Sequence, residues 1–288
     1  MAKIKSRKHL RTTQLVALAA SLPLAGHAAT KEESVAKLPT IEVNAENTYK
    51  AEAVSSPKYT QPLVDTPQTI QVIKKELLQE QGAASLVEAL RNTPGITLQM
   101  GENGNTSAGD TFQMRGFSTQ TSTYVDGIRD LGAVSRDVFN LEQIEIVKGP
   151  SSSLYGSEAM AGVINIITKN PTNAPAFSAD YFTTSYFESN LDLGMKFNAG
   201  KKAVSLIGIN YFNYDQVIDK DKDNFTDVTL SERISVFNKW SFHRNDNRLF
   251  TIAARGMYED RWGGDVRWER KYRGGDEIYG ESIYTKRA

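Results

Sequence analysis

The stretch "VFNLEQIEIVKGPSSSLYGSEAMAGVINIITKNP", residues 138–171, decides how the chain is read. Two strand-like runs, 143–148 and 162–168, flank a tract of Gly, Pro and Ser that holds a single tyrosine, Tyr155. Such a tract resembles a phosphate cradle or a nucleophile turn. A P-loop needs Gly-Lys-Ser/Thr opening a helix, and here Lys148 precedes Gly149. A nucleophile elbow needs G-x-S-x-G, and "GPSSS" lacks the second glycine. A base is missing as well. The three histidines are His9, His27 and His243, two of them within the first 28 residues, and cysteine is absent. The sequence therefore argues against an enzyme, with no catalytic residue and no metal site assigned, and for packing inside a larger architecture.

Outward from this stretch, the 288 residues carry 34 basic and 34 acidic side chains, so no general attraction to nucleic acid is implied. The N-terminus has a basic head (Lys3, Lys5, Arg7, Lys8, Arg11), an apolar core "QLVALAASLPLAG" too short to span a bilayer, and small residues at Gly26 and Ala28. Residues 1–28 read as a Sec signal peptide cleaved after Ala28. No later run approaches the ~20 apolar residues of a membrane helix. The mature protein is expected in the periplasm, outside the cell, or in an outer membrane as a β-barrel.

Residues 29–61 are polar and aperiodic, a flexible leader. One island, "LPTIEVNAE", alternates Ile41, Val43 and Ala45 with Glu42 and Asn44. A lone strand in a loose arm suits addition to a partner's sheet edge; an ordinary edge strand of the next domain is the alternative. Residues 62–171 read as one α/β domain. A strand is expected near residues 69–73 and a helix to about Gln81. A second helix follows, with Ser85 as N-cap and Glu88 three residues on, a capping box. Asn92, Thr93, Pro94 and Gly95 stop it, and residues 97–111 form a long polar loop. "FQMRGFS" and "TSTYVDGIRD" are expected strands, the second turning at Asp126 and Gly127.

From about Ala176 the pattern changes to alternating strands with aromatics near their ends. Ile234, Val236, Trp240 and Phe242 share one face; Phe250, Ile252, Ala254 and Tyr258 share another. Strands of about ten residues with one apolar face, separated by turns and longer polar loops, fit a transmembrane barrel. A soluble antiparallel sandwich fits the same pattern. The acidic loop "DKDKDNFTD", residues 219–227, has carboxylates at spacing two. It places Asn224 and Leu230 where an EF-hand wants Gly and Glu, so a solvated loop is expected.

Taken in order, "LPTIEVNAE", "LRNTPGI", "FQMRGF", "YVDGIRD", "VFNLEQIEIVKGPSSSLYGSEAMAGVINIITK" and the following hairpins resemble a TonB-dependent outer-membrane receptor, over essentially the whole chain after the signal. The resemblance implies an α+β plug domain, residues 62–171, followed in residues 176–288 by the first strands, about six, of an antiparallel transmembrane β-barrel. In that family the barrel has about 22 strands, so the chain reads as a truncated receptor. The island becomes the TonB box (Thr40, Ile41, Glu42, Val43, Asn44, Ala45), which pairs as a strand with the periplasmic protein TonB. The first half is most similar to receptors for ferric catecholate siderophores. The text from Ser151 is closer to the cobalamin and colicin-receptor branch. A mosaic joined near Gly149 and Pro150 and a single lineage with blended features both stay open.

The implied function is energised import of a ferric siderophore across a Gram-negative outer membrane, with iron present only as part of the cargo and no other cofactor. A cobalamin or other metal-complex receptor is the alternative within the family, and a soluble periplasmic binding or signalling module the alternative outside it. Ferric catecholates are anionic and aromatic. The resemblance therefore makes Arg129 and Arg136 candidate charge partners, and Gln99 and Tyr124 hydrogen-bonding or stacking partners. Arg115, Glu142 and Glu145 are the expected plug–barrel locking residues. The expected partners are TonB, the ferric siderophore and outer-membrane lipid, with no nucleic acid.

Overall fold

The computed structural model describes residues 49–51, 53–99, 109–132, 134–245 and 248–288. The expected signal peptide, the leader island and the box residues 40–45 lie outside the described residues, as does most of the polar loop after Gln99. All described residues belong to the unit Glu46–Ala288.

The N-terminal half is built on a five-stranded sheet. Strand β1 (Thr69–Lys74) leads directly into helix α1 (Lys75–Gln81). That helix ends in a Schellman arrangement, Ala83 N–H donating to Leu78 O at 3.1 Å and Gly82 N–H to Gln79 O at 3.1 Å. Helix α2 (Leu86–Leu90) starts at the expected cap. Glu88 N–H donates to Ser85 Oγ at 3.3 Å, and the Glu88 carboxylate accepts from Ala84 N–H at 2.6 Å. Strands β2 (Ile96–Leu98), β3 (Phe112–Met114) and β4 (Phe117–Ser118) form a small sheet of their own. "FQMRGFS" is thus two strands, not one. Arg115 and Gly116 sit at φ 53° and 84°, the left-handed pair of a two-residue hairpin turn. Arg-Gly is not the Asn-Gly or Asp-Gly pair that announces such a turn, which is why the sequence reads as continuous.

The next hairpin, β5 (Thr123–Val125) and β6 (Ile128–Arg129), does carry that signature. Asp126 and Gly127 take φ 49° and 80°. Strands β7 (Leu141–Lys148) and β8 (Gly162–Thr168) complete the large sheet, in the order β1-β7-β8-β5-β6. All its pairs are antiparallel except β5 with β8. The central strands are covered on both faces, as their near-continuous apolar runs require. On one face Ile144, Ile146, Ile164 and Ile166 pack with Leu78, Leu86 and Leu90 of the helices. On the other, Val147 and Val163 pack with Tyr124, Tyr155 and Ala159.

The Gly-Pro-Ser tract between β7 and β8 is therefore packing. Its ends are tied by Gly149 N–H to Ala161 O at 3.0 Å and Ser151 N–H to Ala159 O at 2.9 Å. A single short turn of helix, α3 (Ser152–Tyr155), delivers Tyr155 into the second core.

The C-terminal half is a six-stranded antiparallel meander. It comprises β9 (Phe177–Thr183), β10 (Ser189–Ala199), β11 (Ala203–Tyr214), β12 (Leu230–His243), β13 (Leu249–Gly264) and β14 (Gly280–Arg287), each paired with its sequence neighbour. Its two faces decide between barrel and sandwich. Arg233, Ser235, Lys239 and Ser241 of β12 are buried, turned toward the N-terminal half, while Ile234 and Val236 between them are 45% and 42% exposed. Ile209 and Ile252 on the neighbouring strands are exposed in the same way. A sandwich buries its apolar face. This sheet buries its polar face and presents the apolar one outward, the arrangement of barrel strands. Where apolar groups do meet between the halves they are few: Phe139 and Ala174 with Leu206 and Phe237.

Candidate functional site

The polar face of the meander meets the α/β half through charged contacts. Lys239 Nζ lies 2.9 Å from Asp126 Oδ2 and 2.7 Å from Thr168 Oγ1. Arg255 pairs with the fully buried Asp137 carboxylate at 2.8 Å. Arg233 donates to Ala84 O at 2.8 Å, and Ser135 Oγ donates to Glu259 at 2.7 Å. Arg287 reaches Asp130. In the three ion pairs among these contacts, the sheet supplies the cation and the α/β half the carboxylate.

That polarity differs from the expected locking set. Arg115 is exposed in its hairpin turn and pairs with no carboxylate among the described residues. Glu142 pairs within its own domain, with Lys75 at 2.8 Å, because the side chain of Lys75 stands beside it at the start of α1. Glu145 is completely buried, and its partners lie in the large sheet and in the leader. The residues that do join the halves had a signal in the sequence. Arg233 and Lys239 lie with Ser235 and Ser241 on one period-two stripe of β12, interrupted by Phe237, the mostly polar counterpart of the apolar stripe.

The expected ligand residues fall into two places. Tyr124 and Arg129 face each other across the β5–β6 hairpin. Tyr124 is buried and donates its hydroxyl to Tyr155 O at 2.5 Å; Arg129 is exposed and pairs with Glu158 at 2.9 Å. Arg136 is 1% exposed, its guanidinium bonded to Asp130 Oδ2 at 2.8 Å, to Asp110 Oδ2 at 3.1 Å and to the carbonyls of Val134 and Asp130. With its donors so engaged, Arg136 organises the connection between β6 and β7. Gln99 is exposed, and its N–H donates to Thr111 O at 2.9 Å. Burial pushes Asp110 up to about 7, and the Arg136 guanidinium draws it back only part of the way.

Beside Asp110 opens a cavity of about 430 Å³, bounded by α2 and by the inner face and loops of the meander. Arg91, Arg233, Arg261, Tyr186 and Tyr214 line it. Arg91 and Arg261 line this space and form no ion pair among the described residues. Sequence reading missed them because they come from separate elements, a helix end and a strand. The acidic loop is also close by. Asp219, Asp221 and Asp227 hold carboxylate oxygens within 4.8 Å of one another. Backbone N–H groups of Lys222, Asn224 and Lys220 already occupy the oxygens of Asp219 and Asp227, which accounts for the turn.

Residues 62–163 match the family described as TonB-dependent Receptor Plug Domain. These residues are a TonB-dependent receptor plug. The chain is similar to the catecholate siderophore receptor Fiu of Escherichia coli, at 44% identity over 140 residues, which cover 48% of this chain and 18% of Fiu. The crystal structure of Fiu in its closed form superposes with TM-score 0.63 and 32% identity over 75% of this chain and 29% of that one. The siderophore receptor PiuA of Acinetobacter baumannii superposes with TM-score 0.64 and 25% identity, over 75% and 30% of the two chains. The vitamin B12 transporter BtuB of Vibrio vulnificus is 37% identical over 122 residues, 40% of this chain and 20% of that protein. The chain thus spans about a fifth of the length of these curated relatives. The meander packed on the plug corresponds to barrel strands of such receptors.

Proposed function

We propose that this plug and its strands serve the energised import of a ferric siderophore of the catecholate type across a bacterial outer membrane. The observation that carries the reading is the 44% identity with a catecholate siderophore receptor. The cavity beside the plug supports it. Arg91 and Arg261 offer charge to an anionic iron complex, and Tyr186 and Tyr214 offer aromatic faces to catechol rings. Iron enters only inside the cargo, and the protein needs no resident cofactor. The Sec signal delivers the chain to the periplasm, and the apolar outer face of the meander meets lipid.

In this reading TonB takes hold of the leader at residues 40–45. Main-chain pairing makes the contact tolerant of side chains but intolerant of a lost N–H. Placed in a complete receptor, Ile41→Pro is expected to abolish uptake of labelled ferric catecholate while leaving surface binding intact. Loss of binding as well would make the segment structural and overturn this role. Parallel uptake of labelled cobalamin in place of the ferric complex would move the substrate to the vitamin B12 branch.

A further inference from the structure

Glu145 lies in β7, the strand between β1 and β8, and has no solvent exposure. No cation stands within salt-bridge distance of it among the described residues. A buried carboxylate without a cation persists only when hydrogen-bond donors saturate it. Four do. Gln143 Nε2 donates to Oε1 at 2.8 Å and Asn165 Nδ2 to Oε2 at 3.0 Å, both from within the sheet. The other two are consecutive backbone N–H groups of the leader, Ser55 at 2.5 Å and Ser56 at 3.2 Å, both on Oε1.

The leader is fastened again just beyond. Lys58 Nζ donates to Leu154 O at 2.6 Å and stands 4.4 Å from the Tyr155 ring centroid; Ser56 Oγ lies 3.4 Å from the Tyr155 hydroxyl. Before Ser55 the described leader touches the plug at the surface, where Tyr49 donates to Glu80. Ser55 and Ser56 are therefore its first attachment to a buried group, Ser55 itself exposed and Ser56 buried, and they precede β1 by more than a dozen residues.

We propose that Glu145 is a latch for the leader, a positioning residue that receives a pull on the N-terminal arm before β1 does. The proposal rests on the import reading for the origin of the pull, and its geometry stands apart from it. Charge-assisted bonds to two successive amides hold the arm in register. When the arm leaves, the carboxylate keeps Gln143 and Asn165 and gains water through the opened side. The released state is thereby stabilised too, and the latch can close again. The load passes to the middle of the sheet through β7, which is paired on both edges.

The test is hydrogen exchange on the full chain in detergent, without ligand and without TonB. Glu145→Gln removes the charge and one acceptor oxygen, so at least one of the four donors is left facing an amide N–H. Exchange at Ser55 and Ser56 is expected to rise roughly tenfold or more, the factor for losing a charge-assisted bond, with Ile144, Ile146 and Ile164 still protected. Unchanged exchange at Ser55 and Ser56, or an equal rise in β7 and β8, would overturn the latch. Ser56→Pro removes one donor from the leader side and leaves the sheet untouched. It should speed tryptic cleavage after Lys58, and an unchanged rate would count against the proposal. Failure of ferric catecholate uptake moves neither readout, so the two ideas fail separately.

Discussion

Lys239 of β12 and Asp126 at the tip of the β5–β6 hairpin form an ion pair at 2.9 Å, with Thr168 bonded to both. One barrel side chain thereby pins a plug hairpin to the end of β8. Lys239→Met should leave the Asp126 carboxylate without its cation. The pair is partly solvated, so the expected cost is about 1–2 kcal/mol, below that of a fully buried pair. Chemical unfolding in detergent, with Asp126→Asn and the double variant completing a mutant cycle, measures the coupling. Additive effects of the two substitutions would show that the contact contributes nothing.

Asp110 predicts a pH dependence. Burial raises its carboxyl from an ordinary value of 3.8 to about 7 in the folded plug. Its Oδ2 faces Arg136, while Oδ1 has no partner among the described residues and is the oxygen free to hold the proton. The folded state then binds more protons than the unfolded one between these values. Its contribution to stability is complete below about pH 4 and is lost as pH rises through about 7. Asp110→Asn should flatten that slope in unfolding experiments run from pH 4 to 8. An unchanged slope would assign the dependence to other groups.

Gly162 opens β8 at φ +139°, where a Cβ would sit 2.2 Å from Val147 O and 2.4 Å from Met114 Sδ. The backbone oxygen belongs to the neighbouring strand and cannot give way without breaking the β7–β8 ladder. Gly162→Ala is expected to destabilise the plug by about 2–3 kcal/mol, the scale of an overpacked core. Thermal unfolding of the variant checks it. A midpoint equal to that of the parent would mean that the strand entry can shift.

How much of this was legible in the sequence differs from residue to residue. The Ser85–Glu88 cap and the Asp126–Gly127 turn are local. Each is fixed by the chemistry of residues within four positions of each other, so the text alone reveals them. The period-two alternation of β12 was equally plain, but its sign was not. Whether the apolar or the polar stripe faces inward depends on what the sheet packs against, and alternation is identical in both cases. The Arg115–Gly116 turn escaped because Arg tolerates a left-handed φ without advertising it.

The sequence by itself determined the succession of elements: a helix pair, a hairpin, the β7–β8 pair around its Gly-Pro-Ser tract, and strands with one apolar stripe. These follow from propensity, capping and period, which act over a few residues. Only the tertiary structure decided the partners of the charges. Glu145 closes on Ser55 and Ser56, Arg136 on Asp110 and Asp130, and Lys239 on Asp126. Carboxylates and cations attract whichever opposite group the fold brings near, and burial sets the strength of that attraction. Neither proximity across a hundred residues nor exclusion of water is written in the spacing of the residues themselves.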